Sequence, residues 1–255
     1  MTRKKIEIFT DSRGKDLEPF LARQLPQHIA VKVHVKRGAT LEKLIYHLKQ
    51  DSDPQTDLII IAAGICNLTR KDAATKTLTY IRSEENITSI KDTITSIAGE
   101  LQDKLILATI PPASLLKYYT HFNKTEPPPH LTTQQKELLQ DTEELNQYIK
   151  TLNKAADKQT IDLHSQCFNT ALDQKKKGKA NPSRRRKIFL EKLLTDGVHP
   201  NSTLQHKWFS RFQQCINQWV HNISSSDTDT DGPGPWDYKR GHASANEPGP
   251  STSRA

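Results

Sequence analysis

Apolar residues recur along this chain in two rhythms, and the rhythms alternate. Ile6, Ile8 and Phe9 sit in a short stretch of strand formers, which Asp11, Ser12 and Gly14 break. Over residues 16–25 the spacing turns helical, with Leu17, Phe20, Leu21 and Leu25 on one face and Pro26 as the stop. Residues 29–35 alternate with period two and predict a second strand. Thr40 can cap a helix over about 41–49 whose inward face is Leu41, Leu44, Ile45 and Leu48. Residues 57–63 form a nearly continuous β-branched, apolar run, as expected for a strand covered on both faces.

Ile87, Ile90, Ile94, Ile97 and Leu101 then give a helix over about 85–102. Residues 105–110 read as a fourth buried strand stopped by Pro111-Pro112. Residues 113–130, with three consecutive prolines at 127–129, read as a long loop. A polar helix follows over about 132–158, striped by Leu138, Leu139, Leu145, Ile149 and Leu152. Residues 160–163 predict a short fifth strand and residues 188–194 a brief helix. A last helix carries Trp208, Phe212, Ile216 and Trp219 at helical spacing, the tryptophans as packing anchors. Strands alternating with helices imply an α/β fold with a mostly parallel, five-stranded sheet covered on both faces.

Composition adds boundaries. The chain has 255 residues, 34% of them hydrophobic, and a mean hydropathy of −0.71. That suits one domain, residues 1–223, followed by a polar tail, 224–255, that is disordered by composition. No apolar run approaches the roughly 20 residues of a membrane helix, so no membrane partner is expected. The basic start leads into a strand, not a signal-peptide core. Cys66, Cys167 and Cys215 are odd in number and widely spaced, against a disulfide framework or a zinc cluster. These features point to an intracellular protein, cytoplasmic or nuclear.

The net charge is +8, and it is local. Lys175, Lys176, Lys177, Lys179, Arg184, Arg185, Arg186 and Lys187 supply eight positive charges with no acidic residue among them. They predict a basic loop insertion at about 173–187, able to gather phosphates of RNA or DNA by counterion release. A targeting signal or a merely solvated loop fits the same residues.

The candidate chemistry lies in loops that leave the carboxyl ends of predicted parallel strands, where open α/β sheets bind ligands. They carry Ser12, Gly38 and the Gly64-Ile65-Cys66-Asn67 turn, and a later loop carries Asp196 and His199. A serine hydroxyl needs a base, and histidine needs a carboxylate to fix its tautomer. Asp196 is close enough in sequence to reach His199 Nδ1. Backbone N–H groups of Ser12 and Gly38, with a side chain after Gly64, can steady an oxyanion. Ser12 as a helix cap, and 196–200 as a solvated turn before a helix, remain open alternatives.

Thr10-Asp11-Ser12-Arg13-Gly14-Lys15-Asp16-Leu17 resembles the first block of the SGNH (GDSL-like) hydrolases, with Thr10 where glycine is usual. Gly38 fits the second block, Gly64-Ile65-Cys66-Asn67 the third and Asp196-Gly197-Val198-His199-Pro200 the fifth. The resemblance spans residues 4–223 and extends to the esterase-like domains of retrotransposon open reading frames. It implies a flavodoxin-like, three-layer α/β/α sandwich. It also implies Ser12 as nucleophile, His199 as base and Asp196 as its partner, on a small acyl or acetyl ester, with no metal or organic cofactor. The third block departs from the family: Cys66 stands where an asparagine amide donates to the oxyanion, leaving Asn67 as the side-chain donor there. Some SGNH-like domains bind RNA without hydrolysing esters. A noncatalytic module contacting nucleic acid through 175–187 is therefore the rival expectation.

Overall fold

The structure is a computed structural model that describes residues 3–81, 83–101, 103–172 and 185–226. Its elements in chain order are β1 (Lys4–Thr10), α1 (Leu17–Gln24), β2 (Ile29–Val35), α2 (Leu41–Asp51), β3 (Leu58–Ala62), α3 (Ile65–Leu68), β4 (Thr69–Asp72), β5 (Thr77–Tyr80), α4 (Glu84–Glu100), β6 (Leu105–Leu107), α5 (Leu115–Asn123), α6 (Pro129–Ala155), β7 (Phe168–Leu172), β8 (Arg185–Phe189) and α7 (Ser202–Ser226). Two compact units divide the chain, Met1–Gln218 and Trp219–Ala255. Of the second, the described residues are the last turns of α7.

Among the described residues the central sheet is parallel and four-stranded, in the order β2-β1-β3-β6. Thr10 pairs with Val35 on one side and Ala62 on the other, so the three strands end level and their following loops share one edge. Each crossover passes through a helix, as parallel pairing requires. One face, with Phe9, Ile59, Ile61 and Leu107, packs against leucines and isoleucines of α2, α4 and α6. The alternate residues Ile6, Ile8, Leu58 and Ile60 are equally buried on the opposite face. There α1 and α7 meet through Phe20 and Phe209, whose rings lie 5.4 Å apart. This is a flavodoxin-like α/β/α sandwich.

Three expectations need correction. The fifth strand is reduced to a single parallel bridge between Ala108 and Ile161, with Thr109 N–H donating to the Ile161 carbonyl at 3.0 Å. The chain turns away immediately afterwards, because Asp162 accepts from Ser165 N–H and opens a 3-10 turn at Ser165–Cys167. One step earlier on β6, the outward groups of Leu107 bond to the Asn153 side chain of α6 instead of to a strand. Residues 113–130 are not all loop: Ser114 caps α5 by accepting from Lys117 N–H, and Leu115 and Tyr118 are buried beneath it. Residues 188–194 do not form a helix. Ile188 and Phe189 close strand β8, which pairs antiparallel with β7, and a 3-10 turn follows at Glu191–Leu193. The basic segment therefore ends in a hairpin strand, not wholly in a loop. The hairpin β4–β5 was also unmarked in the sequence; Leu78 and Tyr80 bury one of its faces.

His164 yields a pH expectation. It is 3% exposed, and its ring lies 4.7 Å from that of Phe168, tilted by 39°. Burial pulls its pKa from 6.5 to about 4, although Glu143 and Asp162 oppose the change. Between those values the unfolded chain takes up a proton that the folded chain refuses, so stability falls as pH drops from 6.5 toward 4. Urea midpoints measured across that window should decline in the wild type and decline less in His164→Leu. Equal declines would remove His164 as their source.

Candidate active site

The first site loop is rigid for a reason visible in its sequence. Asp11 caps a 3-10 turn at Ser12–Gly14 by accepting from Arg13 N–H at 2.9 Å. Its carboxylate also takes the Arg13 Nε and Nη2 groups, at 3.1 and 2.7 Å, in a pair whose side chains are 3% and 4% exposed. Burial works against the Arg13 charge, but Asp11 outweighs it and the guanidinium pKa is raised. The remaining arm, Nη1, donates to the Pro111 carbonyl at 3.0 Å. Gly14 is confined: a β-carbon there would lie 2.1 Å from Thr10 Cγ2. Ser12 is thus held at the end of β1, facing the shared edge of the sheet.

The second loop comes from the far end of the unit. Leu194 bridges Pro200, and Thr195 N–H donates to the His199 carbonyl at 2.6 Å, closing the turn. Gly197 has φ +90°, and a β-carbon on it would lie 2.5 Å from the Ser114 carbonyl oxygen and from Tyr118 N. Only glycine lets the loop seat there. Asp196 Oδ1 accepts from Val198 and His199 N–H at 2.9 and 2.8 Å. Its Oδ2 lies 2.8 Å from His199 Nδ1. Burial pushes the Asp196 carboxyl up, but the imidazole and the two backbone donors prevail and hold it well below the usual carboxylate range. An ionised carboxylate accepts, so Nδ1–H donates to it and Nε2 is left as an acceptor. Ser12 Oγ lies 2.9 Å from that Nε2. The fold therefore brings together Ser12, His199 and Asp196, with Ser12 and His199 187 positions apart in sequence.

The other sequence-selected residues divide. Gly38 adopts φ +63° in the loop after β2. Among the described residues no protein acceptor takes the Ser12 or Gly38 N–H. Asn67 is used otherwise than expected. Its Nδ2 donates to both Glu42 carboxylate oxygens at 2.9 Å, and its Oδ1 accepts from Leu41 N–H at 2.8 Å. The amide ties the third block to the first turn of α2 and is spent there, so the oxyanion role read from the sequence for Asn67 is corrected. Cys66 is half-buried, and burial pushes its thiol up, helped by Asp11 and opposed by Arg13 and Lys43. Of the basic segment, Lys175, Lys176, Lys177, Lys179 and Arg184 lie outside the described residues, as does the tail from residue 227. Arg185 and Arg186 are in β8, and Lys187 pairs with Glu143 at 3.2 Å. Residue types alone hid the work of Arg13 and Glu42. The block Asp11-Ser12-Arg13 contained a signal for the first; nothing marked the second.

No group of three or more histidine, cysteine, aspartate or glutamate side chains among the described residues could hold a metal ion. No helix among them is long and apolar enough to cross a membrane. All three cysteines are free.

A flavodoxin-like sheet with a serine after its first strand and an aspartate–histidine loop before its last helix defines the SGNH class. The sequence profile of the GDSL-like Lipase/Acylhydrolase family matches residues 9–212, and the chain belongs to that family. Solved structures agree on the fold. A lipase/acylhydrolase from Enterococcus faecalis superposes with a TM-score of 0.52 at 16% identity, over 83% of this chain and 94% of its own. The acetyl xylan esterase AlAXEase gives 0.54 at 16% identity, over 83% and 99%. The inhibitor-bound aryl esterase of M. smegmatis gives 0.52 at 14% identity, over 84% and 99%. No curated protein matches the chain by sequence.

Proposed function

We propose that this chain is a serine esterase that hydrolyses a small acyl or acetyl ester, without a metal or organic cofactor. The observation that carries the reading is the unbroken series Ser12 Oγ, His199 Nε2, His199 Nδ1 and Asp196 Oδ2, with links of 2.9 and 2.8 Å. In it His199 takes the Ser12 proton as Oγ attacks the ester carbonyl, and the imidazolium that forms is stabilised by Asp196. The same proton then goes to the departing alcohol. Water repeats the cycle on the acyl-enzyme and frees the acid. The N–H groups of Ser12 and Gly38 receive the oxyanion. The family, and similarity to an acetyl xylan esterase and an aryl esterase, support an ester as substrate.

A fluorophosphonate probe tests the hydroxyl without a known substrate. Wild-type protein should be labelled and should turn over p-nitrophenyl acetate, and Ser12→Ala should do neither. Labelling that persists in the mutant would take Ser12 out of the mechanism.

Cys66 bears on the rate. A thiol is a weak donor, and loss of one oxyanion donor typically lowers kcat by ~10²–10³. Cys66→Asn restores the family's amide at that position. It is expected to raise kcat on p-nitrophenyl acetate by about tenfold or more, with KM little changed. An unchanged or lower kcat would show that position 66 does not face the oxyanion.

A further inference from the structure

Helix α6 carries three buried side-chain amides that each take a backbone N–H and a backbone C=O from the segment running through and beyond β6. Asn153 bonds both groups of Leu107, at 3.2 and 2.7 Å. Asn146 bonds both groups of Ile110, at 2.6 and 2.9 Å. Gln135 accepts from Leu115 N–H at 2.6 Å and donates to the Ala113 carbonyl at 2.9 Å. The three are 5% exposed or less. They fall eleven and seven positions apart, so whole turns of helix put them on one face. Together they do what a neighbouring strand would otherwise do for this segment.

The segment matters because both site loops rest on it. The Pro111 carbonyl accepts Arg13 Nη1 and so holds the turn that carries Ser12. Ser114 N–H donates to the Gly197 carbonyl at 2.7 Å and so holds the loop that carries Asp196 and His199. Position 197 has no room for a side chain, since a β-carbon there would lie 2.5 Å from the Ser114 carbonyl oxygen and from Tyr118 N. Hydroxyl and imidazole therefore reach hydrogen-bond distance through two anchors three residues apart on one piece of chain. Gln135 grips that piece at the end nearer the histidine loop.

We propose that Gln135 is a positioning residue for the Ser12–His199 pair, acting through Ala113–Leu115 and the Ser114–Gly197 hydrogen bond. The consequence for rate rests on the esterase reading; the consequence for the hydrogen bond does not. Asn153 is the control. It makes the same two bonds from the same helix, but to Leu107, away from Pro111 and Ser114.

The test compares the full chain with Ser12→Ala, Gln135→Leu and Asn153→Leu at a temperature where each is folded. Nitrogen NMR of the His199 ring reads the hydrogen bond at Nε2 directly. Ser12→Ala should shift that resonance, Gln135→Leu should shift it in the same direction, and Asn153→Leu should leave it in place. Fluorophosphonate labelling should slow ~10–100-fold in Gln135→Leu, the scale expected of a misplacement near 1 Å. In Asn153→Leu it should stay within about twofold of wild type on that same scale. Should Gln135→Leu not fold, Gln135→Glu serves. A protonated carboxyl offers the same acceptor and donor as the amide, so labelling per active imidazole should hold in acid and fall once the carboxyl ionises. An unlabelled wild type with the NMR shift intact in Gln135→Leu would sink the esterase reading and keep the positioning role. A wild-type Nε2 resonance in Gln135→Leu, or an equal shift in Asn153→Leu, would overturn the positioning role.

Discussion

Asp196→Asn is expected to lower kcat on p-nitrophenyl acetate by ~10³–10⁴ while KM stays within a few-fold. The side chain keeps its size and can keep one carbonyl oxygen on the Val198 and His199 N–H groups, so the loop should stay closed. Its NH₂, however, faces His199 Nδ1 as a donor and favours the tautomer with the proton on Nε2. The imidazole then has no acceptor for the Ser12 proton. The carboxylate also carries a stability consequence. Its pKa is depressed in the fold, so its contribution is present above the unfolded value of 3.8 and is lost as pH falls below it. Stability in acid should therefore fall less steeply in Asp196→Asn than in wild type. Steady-state kinetics with urea titrations at two acidic pH values check both. A variant retaining more than a tenth of wild-type kcat would mean that Asp196 does not set the tautomer of His199.

Arg13→Met should be the most destabilising single change at the site. It leaves the Asp11 carboxylate, 3% exposed in its side chain, without its cation, and a broken buried pair typically costs ~3–5 kcal/mol. The Pro111 carbonyl loses its donor as well. Asp11→Asn in the same chain should recover part of the loss, because the uncompensated charge is gone. Denaturant midpoints of the two single variants and the double variant form the cycle that measures the coupling. A loss below about 1 kcal/mol in Arg13→Met would place the rigidity of the Ser12 turn elsewhere. Activity should fall with it even in folded protein, since the turn then lies free of its anchor on Pro111.

Much of the fold is readable without coordinates, because the signals are short-ranged. The alternation of Ile29–Val35 matches β2 to the residue, and the isoleucine spacing of α4 and the leucine spacing of α2 match their buried faces. Misreadings occur where a neighbour overrides the local pattern. Residues 115–123 sit among prolines, yet Ser114 caps a helix there because Leu115 and Tyr118 find a core to enter. Ile188 and Phe189 follow four basic residues in a run that could be helix, and pairing with β7 makes it strand. The fifth strand fails because Asp162 captures Ser165 N–H, and because Asn153 already occupies the edge at Leu107.

The site divides in the same way. Ser12, Asp196 and His199 announce themselves as residue types placed after a strand and before a helix, and the Asp196–His199 contact is nearly local. What the order of residues determined is a set of elements, their inward faces and a few chemically capable loops. Tertiary structure alone decided that Ser12 Oγ meets His199 Nε2, that Asn67 turns to Glu42, and that Gln135 and Arg13 hold one segment from two sides. The reason is range: periodicity and capping act over a turn or two. These contacts join positions up to 187 apart, set by parallel crossovers and by buried polar groups that must find partners wherever the packing leaves them.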